Sequence, residues 1–119
     1  MPHPPRFEQL TADAKTRIQE ISAKEAHEEQ RKGALLFDTR EADEFAAEHA
    51  VGAVHLSKGV IELKIEPLVP DTSTHVICYC GGGYRSALVV DNLQKMGYTH
   101  VLSLAGGFKA WKAAGLPVE

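Results

Sequence analysis

Val76-Ile77-Cys78-Tyr79-Cys80-Gly81-Gly82-Gly83-Tyr84-Arg85-Ser86 is the stretch on which the reading of the chain turns. A short, mostly apolar run bounded by turn formers is the mark of a strand covered on both faces. Here it gives way to three consecutive glycines and an arginine, and Ala87-Leu88-Val89-Val90 then begins a helix predicted over residues 86–96. Buried strand, tight turn and helix, repeated along a chain, build an open parallel sheet.

Working outward, the same pattern recurs. Strands are predicted at 18–21, 34–37, 52–56, 75–79 and 100–104. Helices are predicted over 7–17, 41–48, 60–68, 86–96 and 108–114. A further helix opens at the capping box formed by Ser22 and Glu25 and stops near Gly33. Residues 1–5 are proline-rich and read as a loose tail. The expectation is an α/β protein: an open three-layer α/β/α fold with a central five-stranded parallel sheet. Residues 1–17 form a tail and helix, and residues 18–119 the domain proper.

At 119 residues the chain suits one domain, and its 44% hydrophobic and 24% charged residues suit a soluble protein. A net charge of −3, mixed in sign, argues against nucleic acid and anionic membranes as partners. The six histidines are scattered without metal-site spacing, so no metal is expected. Cys78 and Cys80 lie two apart on a strand, roughly 6.5–7 Å, too far for a disulfide. With no apolar leader and no membrane-length run, a cytoplasmic protein is expected.

The chemistry concentrates at Cys80. Active sites of open α/β sheets lie at the carboxyl ends of strands, where this cysteine falls. Glycines without side chains can turn successive N–H groups inward and form a nest for an anion. The following helix start and Arg85 add positive charge, together favouring a thiolate and then a persulfide anion. Arg85 would also hold an anionic donor such as thiosulfate during attack. Neither a cofactor nor a general-base histidine is needed. The bland alternative is a structural cysteine beside a glycine-rich turn such as a phosphate loop, but a phosphate loop needs Lys followed by Ser or Thr where Tyr84-Arg85 stand.

With these residues in view, the chain resembles the rhodanese family from about Ile18 to Pro117. Leu36-Phe37-Asp38-Thr39-Arg40-Glu41 is similar to its Asp-x-Arg segment, and Glu48-His49-Ala50-Val51-Gly52-Ala53 to its Gly-His-Ile-Pro-Gly-Ala segment. Cys80 to Ser86 resembles the active-site loop, and Gly106-Gly107-Phe108 through Trp111 to Gly115-Leu116-Pro117 the carboxy-terminal signature. The resemblance implies a sulfurtransferase moving sulfur from a donor such as thiosulfate to cyanide or a thiol. Cys80 would carry the persulfide, and the amides of Gly81, Gly82, Gly83, Tyr84 and Arg85 would face the sulfur. Six residues from Cys80 to Arg85 match sulfurtransferases, whereas related phosphatases and arsenate reductases use seven. A non-enzymatic persulfide carrier or sensor is the other alternative.

Arg40 is assigned positive potential at the substrate-binding rim, and Asp38 a role tying loops through backbone N–H groups. Cys78 reads as core rather than a relay thiol, and His49 as structural. The charged stretch from Lys15 to Lys32 reads as a solvated helix face, with docking of a sulfur-relay protein as the alternative.

Overall fold

In the computed structural model, which describes residues 3–119, the strand β4 (Val76–Tyr79) is buried at all four positions. Side chains alternate across a strand, so Val76 and Cys78 enter one core while Ile77 and Tyr79 enter the other. That double burial is why the segment is an unbroken apolar run. Around it stand β1 (Glu20–Ile21), β2 (Leu35–Asp38), β3 (Val54–His55) and β5 (Val101–Leu104), all parallel, in the order β1-β5-β4-β2-β3.

The helices are α1 (Pro5–Lys15), α2 (Ala23–Arg31), α3 (Ala42–Ala47), α4 (Ile61–Leu68), α5 (Arg85–Lys95) and α6 (Gly107–Ala113). α4 and α5 cover one face through Ile61, Ile65, Val89, Val90 and Leu93 against Phe37, Val76 and Val101. α2 and α6 cover the other through Ala26, Phe108 and Trp111 against Leu36, Ile77 and Leu104. The three-layer, five-stranded parallel architecture expected from the sequence is thus present, and Cys78 is core.

Most element boundaries move by one or two residues. Ser22 caps α2 as expected, accepting from the Glu25 amide at 3.2 Å and donating to the Glu25 carboxylate at 2.9 Å. The amino-terminal reading needs correction. Met1 and Pro2 lie outside the described residues, but Pro5 already starts α1, where a proline's fixed φ suits a first helical position. His3 is no loose tail residue either, since its ring packs 4.1 Å from that of Tyr84. α1 is fastened to α5 by Arg17, whose guanidinium bonds both carboxylate oxygens of Asp91 at 3.0 and 2.8 Å.

The segment that departs from the family pattern, around Glu48, Ala50 and Val51, is held by the carboxy-terminal residues. His49 and Glu119 exchange backbone hydrogen bonds at 2.9 and 2.8 Å, and the Val51 amide donates to the Pro117 carbonyl at 3.1 Å. A proline at position 51 would have no amide to offer there.

At the end of the sheet opposite Cys80, His75 and His100 stack with centroids 3.8 Å apart. Burial, and then the neighbouring His100, lower the His75 pKa, with Glu29 opposing. The folded state therefore binds fewer protons than the unfolded one between the two pKa values. Stability from the neutral ring is full above the ordinary value of 6.5 and is lost as pH falls through it towards the folded value. Urea midpoints followed from about pH 8 to about pH 5 should fall more steeply for wild type than for His75→Gln.

Candidate active site

β4 ends between the loops that follow β2 and β5, and those loops shape what comes after it. Thr39 donates its amide and its hydroxyl to the Tyr79 carbonyl, at 2.8 and 2.9 Å, closing the end of the strand. From the other side the start of α6 reaches the loop directly. The Phe108 amide donates to the Cys80 carbonyl at 2.7 Å and the Lys109 amide to the Gly81 carbonyl at 3.2 Å. No cis peptide occurs among the described residues, so the N–H groups of Gly81 and Gly82 point away from α6.

This approach is close enough to forbid a side chain. A Cβ on Gly107 would lie 2.4 Å from the Cys80 carbonyl oxygen, and its φ of +59° already favours glycine. Gly83, at φ +94°, lies against Gly106 and Leu104, and its amide donates to Cys80 Sγ at 3.1 Å. The nest is narrower than expected from sequence. Of the five loop amides, the Gly83 N–H is the one hydrogen-bonded to the sulfur among the described residues. A single sulfur atom is smaller than the anion a full ring of amides surrounds.

Behind Sγ runs a buried chain of hydroxyls that sequence reading missed. Ser86 Oγ lies 3.5 Å from Sγ and 2.8 Å from Ser103 Oγ of β5. Both serines are fully buried. A serine in the first turn of a helix and one within a strand carry no local signal of a partner 17 positions away. Cys80 itself is 1% exposed. The half-exposed loop residues Gly81, Gly82, Tyr84 and Arg85 line a cavity of about 560 Å³ beside it.

Arg85 opens α5 and faces that cavity, but its charge is not free. Its guanidinium makes a forked pair with Glu44 of α3, at 3.0 and 3.3 Å. The Arg85 hydrogen bonds hold Glu44 below the usual carboxylate range against the opposing effect of burial. Glu44 also accepts the Glu41 amide at 3.0 Å, so the start of α3 aims its carboxylate. Sequence reading missed Glu44 because its partner is 41 residues away.

Arg40 is not brought to the cavity. Its side chain is buried against Asp38, bonds the Glu48 carbonyl at 2.7 Å, and stacks 4.4 Å from the Phe108 ring centroid. A guanidinium so fully engaged ties loops together and lends the rim no free charge, a correction to its expected substrate-binding role. Asp38 does accept a backbone N–H, that of Arg40, at 2.9 Å. Burial pushes the Cys78 thiol up to about 12, which keeps it protonated in the core.

A family model, the rhodanese-like domain, matches residues 22–114. The chain belongs to the rhodanese-like family. Thiosulfate sulfurtransferase GlpE of Haemophilus influenzae is 37% identical over 102 residues, covering 86% of this chain and 95% of GlpE. A thiosulfate sulfurtransferase structure from Pseudomonas aeruginosa superposes with a TM-score of 0.81 at 28% identity, covering 95% of this chain and 22% of that one. A Rhodopseudomonas palustris protein of unknown function, described as a possible tyrosine phosphatase, gives 0.87 at 26% identity, covering 100% and 99%. In this rhodanese-like chain α1 lies outside the matched residues.

Gly107→Ala should push α6 off the loop. We expect a loss of about 2–4 kcal/mol in urea-derived stability, larger than for Ala at Gly115, where a Cβ meets nothing within 4 Å.

Proposed function

We infer that the protein is a thiosulfate sulfurtransferase in which Cys80 carries the transferred sulfur as a persulfide. The observation behind this reading is the Gly83 amide donating to Cys80 Sγ, in a loop whose carbonyls are occupied by α6. An amide directed at sulfur stabilises the charge that a thiolate holds before attack. The six-residue span from Cys80 to Arg85 and the named activity of the GlpE relative support the same conclusion.

In the first half-reaction the Cys80 thiolate attacks the outer sulfur of thiosulfate. A sulfur–sulfur bond forms at Sγ, the bond to the sulfonate sulfur breaks, and its electron pair leaves with sulfite. In the second, a nucleophilic acceptor attacks the outer persulfide sulfur and the pair returns to Sγ. Gly81 and Gly82, which carry no side chains, line the cavity beside Sγ on the side from which the donor would come. Arg85, oriented by Glu44, donates to the anion at the cavity wall. The Cys80 thiol donates to Ser86 Oγ, and once the sulfur is an anion the same hydroxyl can turn to donate to it.

A cytoplasmic setting belongs to this reading, since both cysteines are free thiols. No helix among the described residues is long and apolar enough to cross a membrane. The description of the Rhodopseudomonas palustris structure favours a second reading, phosphoester hydrolysis by the same cysteine.

Intact mass spectrometry after thiosulfate treatment separates the two. The wild type should gain one sulfur atom, lose it to cyanide as thiocyanate, and release no phosphate from an aryl phosphate. Cys80→Ser should gain none. Cys80-dependent phosphate release without sulfur uptake would reverse the assignment. Ser86→Ala should lower kcat/KM for thiosulfate about tenfold, the worth of one hydrogen bond to a charged group, in a steady-state thiocyanate assay.

A further inference from the structure

The hydrogen bonds from α6 settle only part of the active-site loop. They hold the carbonyls of Cys80 and Gly81, and so fix the peptide units that follow those two residues. The next unit, joining Gly82 to Gly83, carries the N–H that reaches Cys80 Sγ at 3.1 Å. Among the described residues no backbone amide donates to the Gly82 carbonyl. With glycine on both sides, that unit has more rotational freedom than any other residue pair would give it.

Packing does here what hydrogen bonds do for the other two units. Gly83 lies against Gly106 and Leu104, where an added Cβ would come within 3.1 Å of the Gly106 nitrogen. The Tyr84 ring lies against Gly82, its Cδ2 atom 3.8 Å from where a Cβ would stand. That ring is in turn held by α1 and the residue before it. The His3 ring packs 4.1 Å from its centroid, Phe7 lies 6.2 Å away, and Lys15 Nζ stands 4.7 Å from the centroid over its face. Beyond these contacts the helix is fastened to α5. Arg17 forks onto Asp91, and its carbonyl accepts the Gln94 side chain at 3.0 Å. A helix outside the matched rhodanese-like domain thus bears on the loop through one aromatic ring.

We propose that Tyr84 is a positioning residue and α1 a clamp acting through it, together keeping the Gly83 N–H on the sulfur. When the ring is released, the Gly82–Gly83 unit turns and takes its donor away from Sγ. The donor is then lost where negative charge collects, on the thiolate before attack and again as the acceptor removes the outer sulfur. The proposal rests on the reading of Cys80 as the sulfur carrier and adds what holds its amide donor in line.

The test uses the full chain and reads the Gly83 amide by NMR hydrogen exchange, beside kcat/KM for thiosulfate. Tyr84→Ala should speed Gly83 exchange about tenfold and lower kcat/KM about threefold to tenfold. Tyr84→Phe, which keeps the ring, should recover most of both losses. Arg17→Gln, which loosens α1 from α5, should move both readouts in the same sense as Tyr84→Ala. Acting through the ring, it should add nothing in a Tyr84→Ala background. In each case Gly83 should outrun the Ile77 amide of β4, which reports on the whole fold. Gly83 exchange unmoved in Tyr84→Ala, exchange rising by the same factor at Ile77, or losses that add in the double variant overturn the proposal. A wild type that takes up no sulfur from thiosulfate, with Gly83 exchange still following Tyr84, overturns the sulfurtransferase reading alone.

Discussion

Two hydrogen bonds from the start of α6, to the carbonyls of Cys80 and Gly81, determine the shape of the catalytic loop. A peptide unit is rigid, so engaging its carbonyl on one side fixes where its N–H looks on the other. The glycines of the loop supply freedom to bend, and α6 removes that freedom again by choosing one conformation. The carboxy-terminal Gly106-Gly107-Phe108 segment therefore acts on the chemistry through the loop backbone, from 26 to 28 residues beyond Cys80. Gly107 is needed because backbone meets backbone there with no room for a methyl group, while a Cβ on Gly106 would run into the Ala110 methyl.

The sheet and its layers were legible in the sequence because a parallel strand covered on both faces leaves a mostly apolar run such as Val76 to Tyr79. Cys80 was legible for a related reason: a strand that ends in cysteine and three glycines serves no packing purpose. What escaped was every pairing between distant elements. Glu44 looked like one acidic residue among several at a helix start, and only the approach of α3 to α5 makes it the partner of Arg85. Arg40 misled in the opposite sense. A strand-end arginine two residues from an aspartate fits a rim role as well as an internal one, and burial of Asp38 decides for the latter.

The site separates two tasks that positive charge is often asked to perform together. Arg40, sealed against Asp38 and lying over Phe108, fastens the loops after β2 and β5 to each other. Removing one member of such a buried pair leaves the other uncompensated, at a cost of about 3–5 kcal/mol. Arg85, half-exposed and held by a carboxylate it can share, remains at the cavity wall. Neither leaves a strong excess of positive charge near Cys80, so attraction for sulfur is local to the loop and not a property of the whole face.

The Pro117 carbonyl that accepts the Val51 amide also accepts Trp111 Nε1–H, at 2.8 Å. Trp111 is the one tryptophan in the chain, and it is fully buried. Its emission thus reports on whether the last three residues stay zipped against 49–51, and polypeptide fused after Glu119 would be felt first as a change in the colour of that fluorophore.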